Sequence, residues 1–377
     1  MDRVPGRGRV VKTALLHYWL TNVRGGEKVL FALGEMLPDA DVFTHALAPE
    51  KWDQVDGKWR LGTTCHAVRE SFIARLPWGR RHPQMYLPLM PAACRALRLD
   101  DYELIVSSES GPIKGIRKPS GARHVCYCHT PMRYVWDMYD EYYRHARGLA
   151  KLAMPLFVKY MRHADLKSAE AVDLFVANSR FVAERIQRIY GRDAVVVHPP
   201  VDVAFFEAAV AEDEAGYYLY SGQLVDYKRP DLAIAACVKF GRRIVVVGDG
   251  AGRARLEKQY AGNPLVEFRG RVSNEDLRKC YAGARALVFP GIEDFGIVPV
   301  EAQAAGCPVV ALGIGGARET VLDGQTGLFF SEQTVDALVG ALEEFEGRRV
   351  DWRTACRENA RRFSSSRFCA EMRALLL

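Results

Sequence analysis

The chain has 377 residues, 49% of them hydrophobic and 26% charged, with a net charge of +6. That is a globular balance with enough length for two domains, and no apolar run approaches the roughly 20 residues that span a bilayer. The nine cysteines are scattered, and only Cys126 and Cys128 lie close together. This argues against a disulfide framework and for reduced thiols inside a cell. The start of the chain up to Lys12 is basic and Gly-rich, with none of the apolar core of a secretory signal, and reads as a frayed tail.

Apolar runs alternate with helical patterns along the whole chain. In the first half, strands are predicted at Val11–Leu20, Asp41–Ala46, Tyr102–Ser107, His124–Cys128 and Leu174–Ala177, with a helix over Ser179–Tyr190. The prolines of His198-Pro199-Pro200 end a further strand and stiffen a crossing, and the small, acidic segment 207–216 follows as a linker. Strands then recur at Tyr217–Ser221, Arg243–Val247, Val266–Arg269, Ala286–Phe289 and Val309–Leu312. Between and after them, helices are predicted at Pro230–Phe240, Ala251–Tyr260, Asn274–Ala282, Ile297–Ala305 and Val335–Phe345, and Ser273 with Asp276 marks one helix start. Near-continuous Val/Ile/Leu/Phe strands separated by helices mean parallel sheets covered on both faces. Three segments are expected: 1–198, a Rossmann-like acceptor-binding domain; 199–350, a Rossmann-like nucleotide-sugar-binding domain; and 351–377, crossing back to the first.

Ligands of such sheets bind beyond the carboxyl ends of the strands, and five loops at those ends carry chemistry. Arg24-Gly25-Gly26-Glu27-Lys28 opens a helix after the first strand, where glycines admit a phosphate or sugar to backbone amides; an ordinary glycine turn would read the same. His129-Thr130-Pro131-Met132-Arg133 sets a histidine at a strand end, suited either to a ligand or to a loop hydrogen bond. In the segment from Ser221 through Gly222, Gln223 and Tyr227 to Arg229, Lys228 is placed to neutralise a diphosphate. Gly248-Asp249-Gly250-Ala251-Gly252 is a glycine-rich turn that serves either a ligand or tight packing. The most informative loop is Glu293-Asp294-Phe295-Gly296-Ile297-Val298-Pro299-Val300-Glu301. Its two carboxylates, eight residues apart, suit sugar hydroxyls and a ribose, and the amides of Phe295, Gly296 and Ile297 suit phosphate oxygens.

Lys228, the pair Glu293 and Glu301, and the glycine turns together resemble the retaining GT-B glycosyltransferases of family 4, from Leu15 to about Phe345. The stretches Cys128–Asp137 and Glu293–Gly306 look most like bacterial mannosyltransferases that build O-antigen or exopolysaccharide units. The resemblance implies a GT-B fold, two facing Rossmann-like domains with a deep interdomain cleft. It implies that His129, Lys228 and Glu293 are catalytic. Gly25, Gly26, Gln223, Arg229, Gly248, Val272, Phe295, Gly296, Ile297 and Glu301 would line the donor site, Val272 facing the base. The family usually has Arg where Gln223 stands, so diphosphate neutralisation would rest on Lys228, with Arg229 compensating only if its side chain turns inward.

The implied reaction is a same-face transfer in which Lys228 and helix amides stabilise the departing diphosphate without a metal. The one Asp-x-Asp, Asp39-Ala40-Asp41, precedes its strand and is rejected as a metal site. The implied donor is GDP-mannose and the implied acceptor a lipid-linked saccharide. Arg69–Arg98 and Arg144–Ser168 each hold six basic residues against one acid, among aromatic and aliphatic side chains that include Leu149. They suit an anionic membrane surface, which places the protein in the cytoplasm at the inner face of the membrane; a solvated face over a core is the competing reading. A transferase using a UDP-sugar, a phosphorylase, and a weakly catalytic sugar-nucleotide-binding subunit are the alternatives. A nucleic-acid partner is not expected, since stacking and RNA-binding motifs are missing.

Overall fold

The computed structural model describes residues 11–23, 25–209 and 216–376. Residues 1–10, Arg24, most of the expected linker (210–215) and the side chain of Leu149 lie outside that description. The chain divides into two compact units. One runs to Val197 and regains the chain from Cys369 onward; the other is His198–Phe368. The segment expected to cross back, 351–377, is therefore itself divided. Its helix Trp352–Arg361 packs against helix Ile297–Ala304 of the second unit, and only the stretch from Cys369 belongs to the first.

The first unit contains β1 (Thr13–His17), β2 (Asp41–Thr44), β3 (Gln54–Val55), β4 (Lys58–Leu61), β5 (Thr64–His66), β6 (Val68–Glu70), β7 (Leu104–Glu109), β8 (Arg123–Cys128), β9 (Leu174–Ala177) and β10 (Ala194–Val196). Seven of them form a parallel sheet in the order β10-β9-β8-β7-β1-β2-β6, and β3–β5 make a small antiparallel meander. The second unit contains β11 (Tyr218–Ser221), β12 (Ile244–Val247), β13 (Val266–Gly270), β14 (Ala286–Phe289), β15 (Val309–Leu312) and β16 (Gly327–Phe330), a parallel sheet in the order β13-β12-β11-β14-β15-β16.

Alternation along the strands explains why both faces are apolar. Leu219, Val245, Leu287 and Val309 pack with Val300 and Ala304 of helix Ile297–Ala304 on one side. Tyr218, Val246, Val288 and Val310 pack with Leu338 and Leu342 of helix Val335–Gly347 on the other. Local signals fix the helix ends. Ser179 accepts the amide of Val182 and Gly191 closes the same helix at φ +64°, while Ser273 accepts the amide of Asp276 at 3.1 Å. In each sheet the chain starts in the middle and builds outward both ways. The reversal lies between β1 and β7 in one unit and between β11 and β14 in the other, and ligands of doubly wound sheets bind at such points.

Candidate active site

In the first unit, β1 and β7 are neighbours in register, with His17 opposite Ser108. His17 Nδ1 lies 3.2 Å from Ser108 Oγ, and Ser108 Oγ lies 2.8 Å from His129 Nε2. At the other end, His17 Nε2 stands 3.6 Å from Glu27 Oε1, too long for a hydrogen bond but close enough for a strong field. His17 and Glu27 are both buried. Burial, helped by neighbouring His17, pushes the His129 pKa down to about 3, so its imidazole is neutral. The carboxylate favours the proton of His17 on Nε2. His17 Nδ1 then accepts from the Ser108 hydroxyl, Ser108 Oγ accepts from His129 Nε2–H, and His129 keeps a lone pair on Nδ1. Asn178 Nδ2 donates to the His129 carbonyl at 2.9 Å and fixes the loop. Gly26, in the first turn of helix Gly25–Met36, stands over this chain. A Cβ there would meet the Tyr18 hydroxyl at 3.0 Å and His129 Nε2 at 3.6 Å.

The second unit builds its site from loops whose backbones touch. Gly248 has φ +131°, and a Cβ on it would stand 1.8 Å from the Gly222 carbonyl oxygen; one on Gly250 would meet the Leu224 backbone at 2.6 Å. Only glycine permits these approaches, so the turns after β11 and β12 are stacked on each other. Gly291 likewise lets the chain after β14 pass under Lys228, where a Cβ would meet Lys228 Cα at 2.9 Å. This brings Lys228 and Glu293 together across the reversal point, with Nζ and Oε1 at 2.5 Å. Gly316 donates its amide to the Glu293 carbonyl at 2.9 Å, and a Cβ on it would lie 2.3 Å from Phe295 Cα. The turn after β15 thus braces the carboxylate loop.

Gly296, at φ +86°, starts helix Ile297–Ala304 and leaves the first amides of that helix without intrahelical acceptors. The Phe295 side chain is core, packed on His198 and Phe363 with ring centroids 5.5 and 5.6 Å away, so only its backbone is left for a ligand. Glu301 is buried and, after burial itself, is the main influence raising the pKa of Tyr281, whose hydroxyl donates to Ser221 at the end of β11. Val272 and Ile297 pack partly buried against the same core. Gln223 is exposed. The Arg229 guanidinium, reached from a left-handed backbone at φ +55°, is held by both oxygens of Asp231 at 3.0–3.2 Å.

Sequence reading placed the loops but missed the chain behind His129. Nothing in the motifs marks His17 or Ser108, because their pairing comes from strand register. Glu27 lay inside the Arg24–Lys28 motif without a role. Asp41 is at the amino end of β2, tied to Arg69 and the Tyr102 hydroxyl. Of the two basic stretches, Ile73, Met90, Ala93, Val158 and Met161 are core, while Trp78, Met85, Leu152, Leu156 and Tyr160 are exposed. Among the described residues no helix is long and apolar enough to cross a membrane.

Residues 23–205 match the family model described as Glycosyltransferase Family 4, and residues 204–363 match that described as Glycosyl transferases group 1. A D-inositol 3-phosphate glycosyltransferase of Xylanimonas cellulosilytica is 30% identical over 54% of this chain and 56% of its own length. One from Nocardioides is 31% identical over 42% of this chain and 43% of its own. The chain thus spans about half the length of the curated relatives it matches. Among solved structures, Anabaena HepE in complex with UDP superposes with a TM-score of 0.70 at 17% identity, covering 97% of this chain and 99% of that one. Sucrose-phosphate synthase of Thermosynechococcus elongatus gives 0.71 at 18%, covering 97% and 98%. From residue 23 to residue 363, therefore, the chain carries two glycosyltransferase family matches in tandem, one on each Rossmann-like unit of a GT-B fold.

Proposed function

We propose that the protein is a retaining glycosyltransferase that moves a sugar from a nucleotide-sugar donor to a lipid-linked saccharide in cell-surface polysaccharide synthesis, with mannose from GDP-mannose as the transferred sugar. The observation that carries the reading is the meeting of Lys228 and Glu293 at the reversal point of the second sheet. A cation for a diphosphate and a carboxylate for sugar hydroxyls stand side by side, over a helix start whose amides suit phosphate oxygens. In this reading Lys228 stabilises the leaving diphosphate with those amides and without a metal, and Glu293 holds the sugar. Glu301 takes the ribose, Val272 lies by the base, and Gly248 and Gly26 keep the rims open.

The neutral His129 orients the transferred sugar through its Nδ1 lone pair and is no classical base. The departing phosphate oxygen takes the acceptor proton as the same-face bond forms. With an uncharged Gln at 223, Lys228 is the main cation assigned to the diphosphate, at the reversal point beside Glu293. The exposed apolar and basic side chains of the first unit support peripheral attachment to an anionic membrane on its cytoplasmic face. A second reading, a UDP-sugar donor, is favoured by the UDP and UDP-glucose bound to HepE. Incubation with radiolabelled GDP-mannose or UDP-glucose and a membrane lipid extract, with and without EDTA, tests both. Label should enter the lipid fraction from GDP-mannose regardless of EDTA. Transfer from UDP-glucose alone would replace the donor, and no transfer from either would remove the enzyme reading.

A further inference from the structure

The first unit holds a cavity of about 620 Å³, within the size range of small-molecule sites, whose lining includes none of His17, Ser108 and His129. It lies between helix Met90–Arg95, the loop after β7 and the second half of helix Gly148–Ala169. Its apolar lining includes Cys94, Ile116, Met132, Met161 and Ala164. Two acids line it: Glu170, which is exposed, and Asp165, which is buried and already satisfied, since Lys114, Trp136 and Tyr190 all donate to it. The buried Lys114 ammonium stays charged, because Asp165 and Glu109 outweigh the cost of burial and hold its pKa well above the ordinary value.

The same cavity is lined by Arg95, Arg117 and Lys167, all exposed, and none of the three pairs with a carboxylate among the described residues. Tyr160 lines the cavity too, and its hydroxyl donates to the Pro88 carbonyl. One and two turns back along its helix stand Leu156 and Leu152, exposed at 75% and 79%. Tyr160, Leu156 and Leu152 are four residues apart and so share one face.

An apolar cavity, unpaired cations around it and an apolar stripe leading away describe a site for an amphiphile. The geometry points to a lipid phosphate, a hydrocarbon chain bearing a phosphate, seated here with its anion on Arg95, Arg117 and Lys167. This deepens the proposed function and rests on its lipid-linked acceptor: the lipid carrier, separate from the donor, would be held on the first unit by its own phosphate.

The test is calorimetric titration of the full chain with farnesyl phosphate below its micelle concentration, with farnesol and inorganic phosphate as controls. Farnesyl phosphate should bind at least ten-fold more tightly than either. The triple variant Arg95→Ser, Arg117→Ser, Lys167→Ser should remove that preference while leaving farnesol unchanged, and Ala164→Trp should weaken both lipids. Melting temperature and its shift with the sugar donor, measured on the same preparations, should not change, which separates this pocket from the enzyme reading. Equal binding by wild type and variants, or no binding while the donor shift persists, would overturn the proposal. So would loss of binding to phosphatidylglycerol vesicles with farnesyl phosphate binding intact, since the cations would then read a bilayer surface.

Discussion

The two units carry the same architecture but make their functional groups in opposite ways. In the first, the polar groups of Glu27, His17 and Ser108 are buried behind His129 in a line set by strand register. In the second, Lys228 and Glu293 sit partly exposed on loops, and what is rigid is the backbone beneath them, stacked glycine on glycine. A buried line fixes a tautomer and a direction. A glycine-built rim leaves room for a large anion and holds two side chains at a set distance. The first unit is thus suited to orienting a substrate, and the second to binding one.

The contrast predicts which unit tolerates which change. The largest effect should come from Lys228→Ala or Glu293→Ala, each lowering transfer by about a hundred-fold or more while the melting temperature holds. Near-normal turnover in either would undo the assignment. Next is Gly248→Ala, where the new Cβ has no room against the Gly222 carbonyl. It should cost about 1–3 kcal/mol in a denaturant titration and abolish the donor-induced melting shift. In the first unit, Ser108→Ala breaks the line without emptying the site. Turnover should fall several-fold with donor affinity little changed, whereas an equal loss of donor affinity would mean that Ser108 only packs.

Acid should act through the first unit. Burial lowers His129 to about 3 and His45 and His124 to about 4, against an ordinary value near 6.5. Between those values the unfolded chain binds more protons. Stability is therefore complete above pH 6.5 and declines as the pH falls toward 4, by up to about 1.4 kcal/mol per pH unit for each histidine. Denaturant titrations at pH 7 and 5.5 check the sign. The smallest effect is expected from Gln223→Arg on the exposed rim, a several-fold change in apparent donor affinity at most. Tighter binding would mark Gln223 as a handicap, and weaker binding as an adaptation.

The interior strands were legible because they are apolar on both faces. Leu174–Ala177, Ala286–Phe289 and Val309–Leu312 fall where the sequence puts them. The strands β6 (Val68-Arg69-Glu70) and β16 (Gly327-Leu328-Phe329-Phe330) escaped because each is a short edge strand, one carrying charges and the other opening on glycine. The antiparallel meander β3–β5 has no apolar run at all. In the candidate site, the strand-end loops that carry Lys228 and Glu293 were legible because glycines and a helix start surround them in sequence. The Glu27–His17–Ser108–His129 line was not, since its members lie on three strands' ends and a helix and meet only through register. The hold of Asp231 on Arg229 is local, but depends on a left-handed backbone at Arg229 that composition does not announce.

The most direct test of the central claim is a set of melting curves on wild type and Lys228→Ala with GDP-mannose, GDP, UDP-glucose and UDP. A ligand at about 100 times its dissociation constant adds roughly 2.7 kcal/mol to the folded state. Wild type should be stabilised by GDP-mannose and GDP, and Lys228→Ala should not be. No shift with any of the four, or the same shift in both proteins, would contradict the claim.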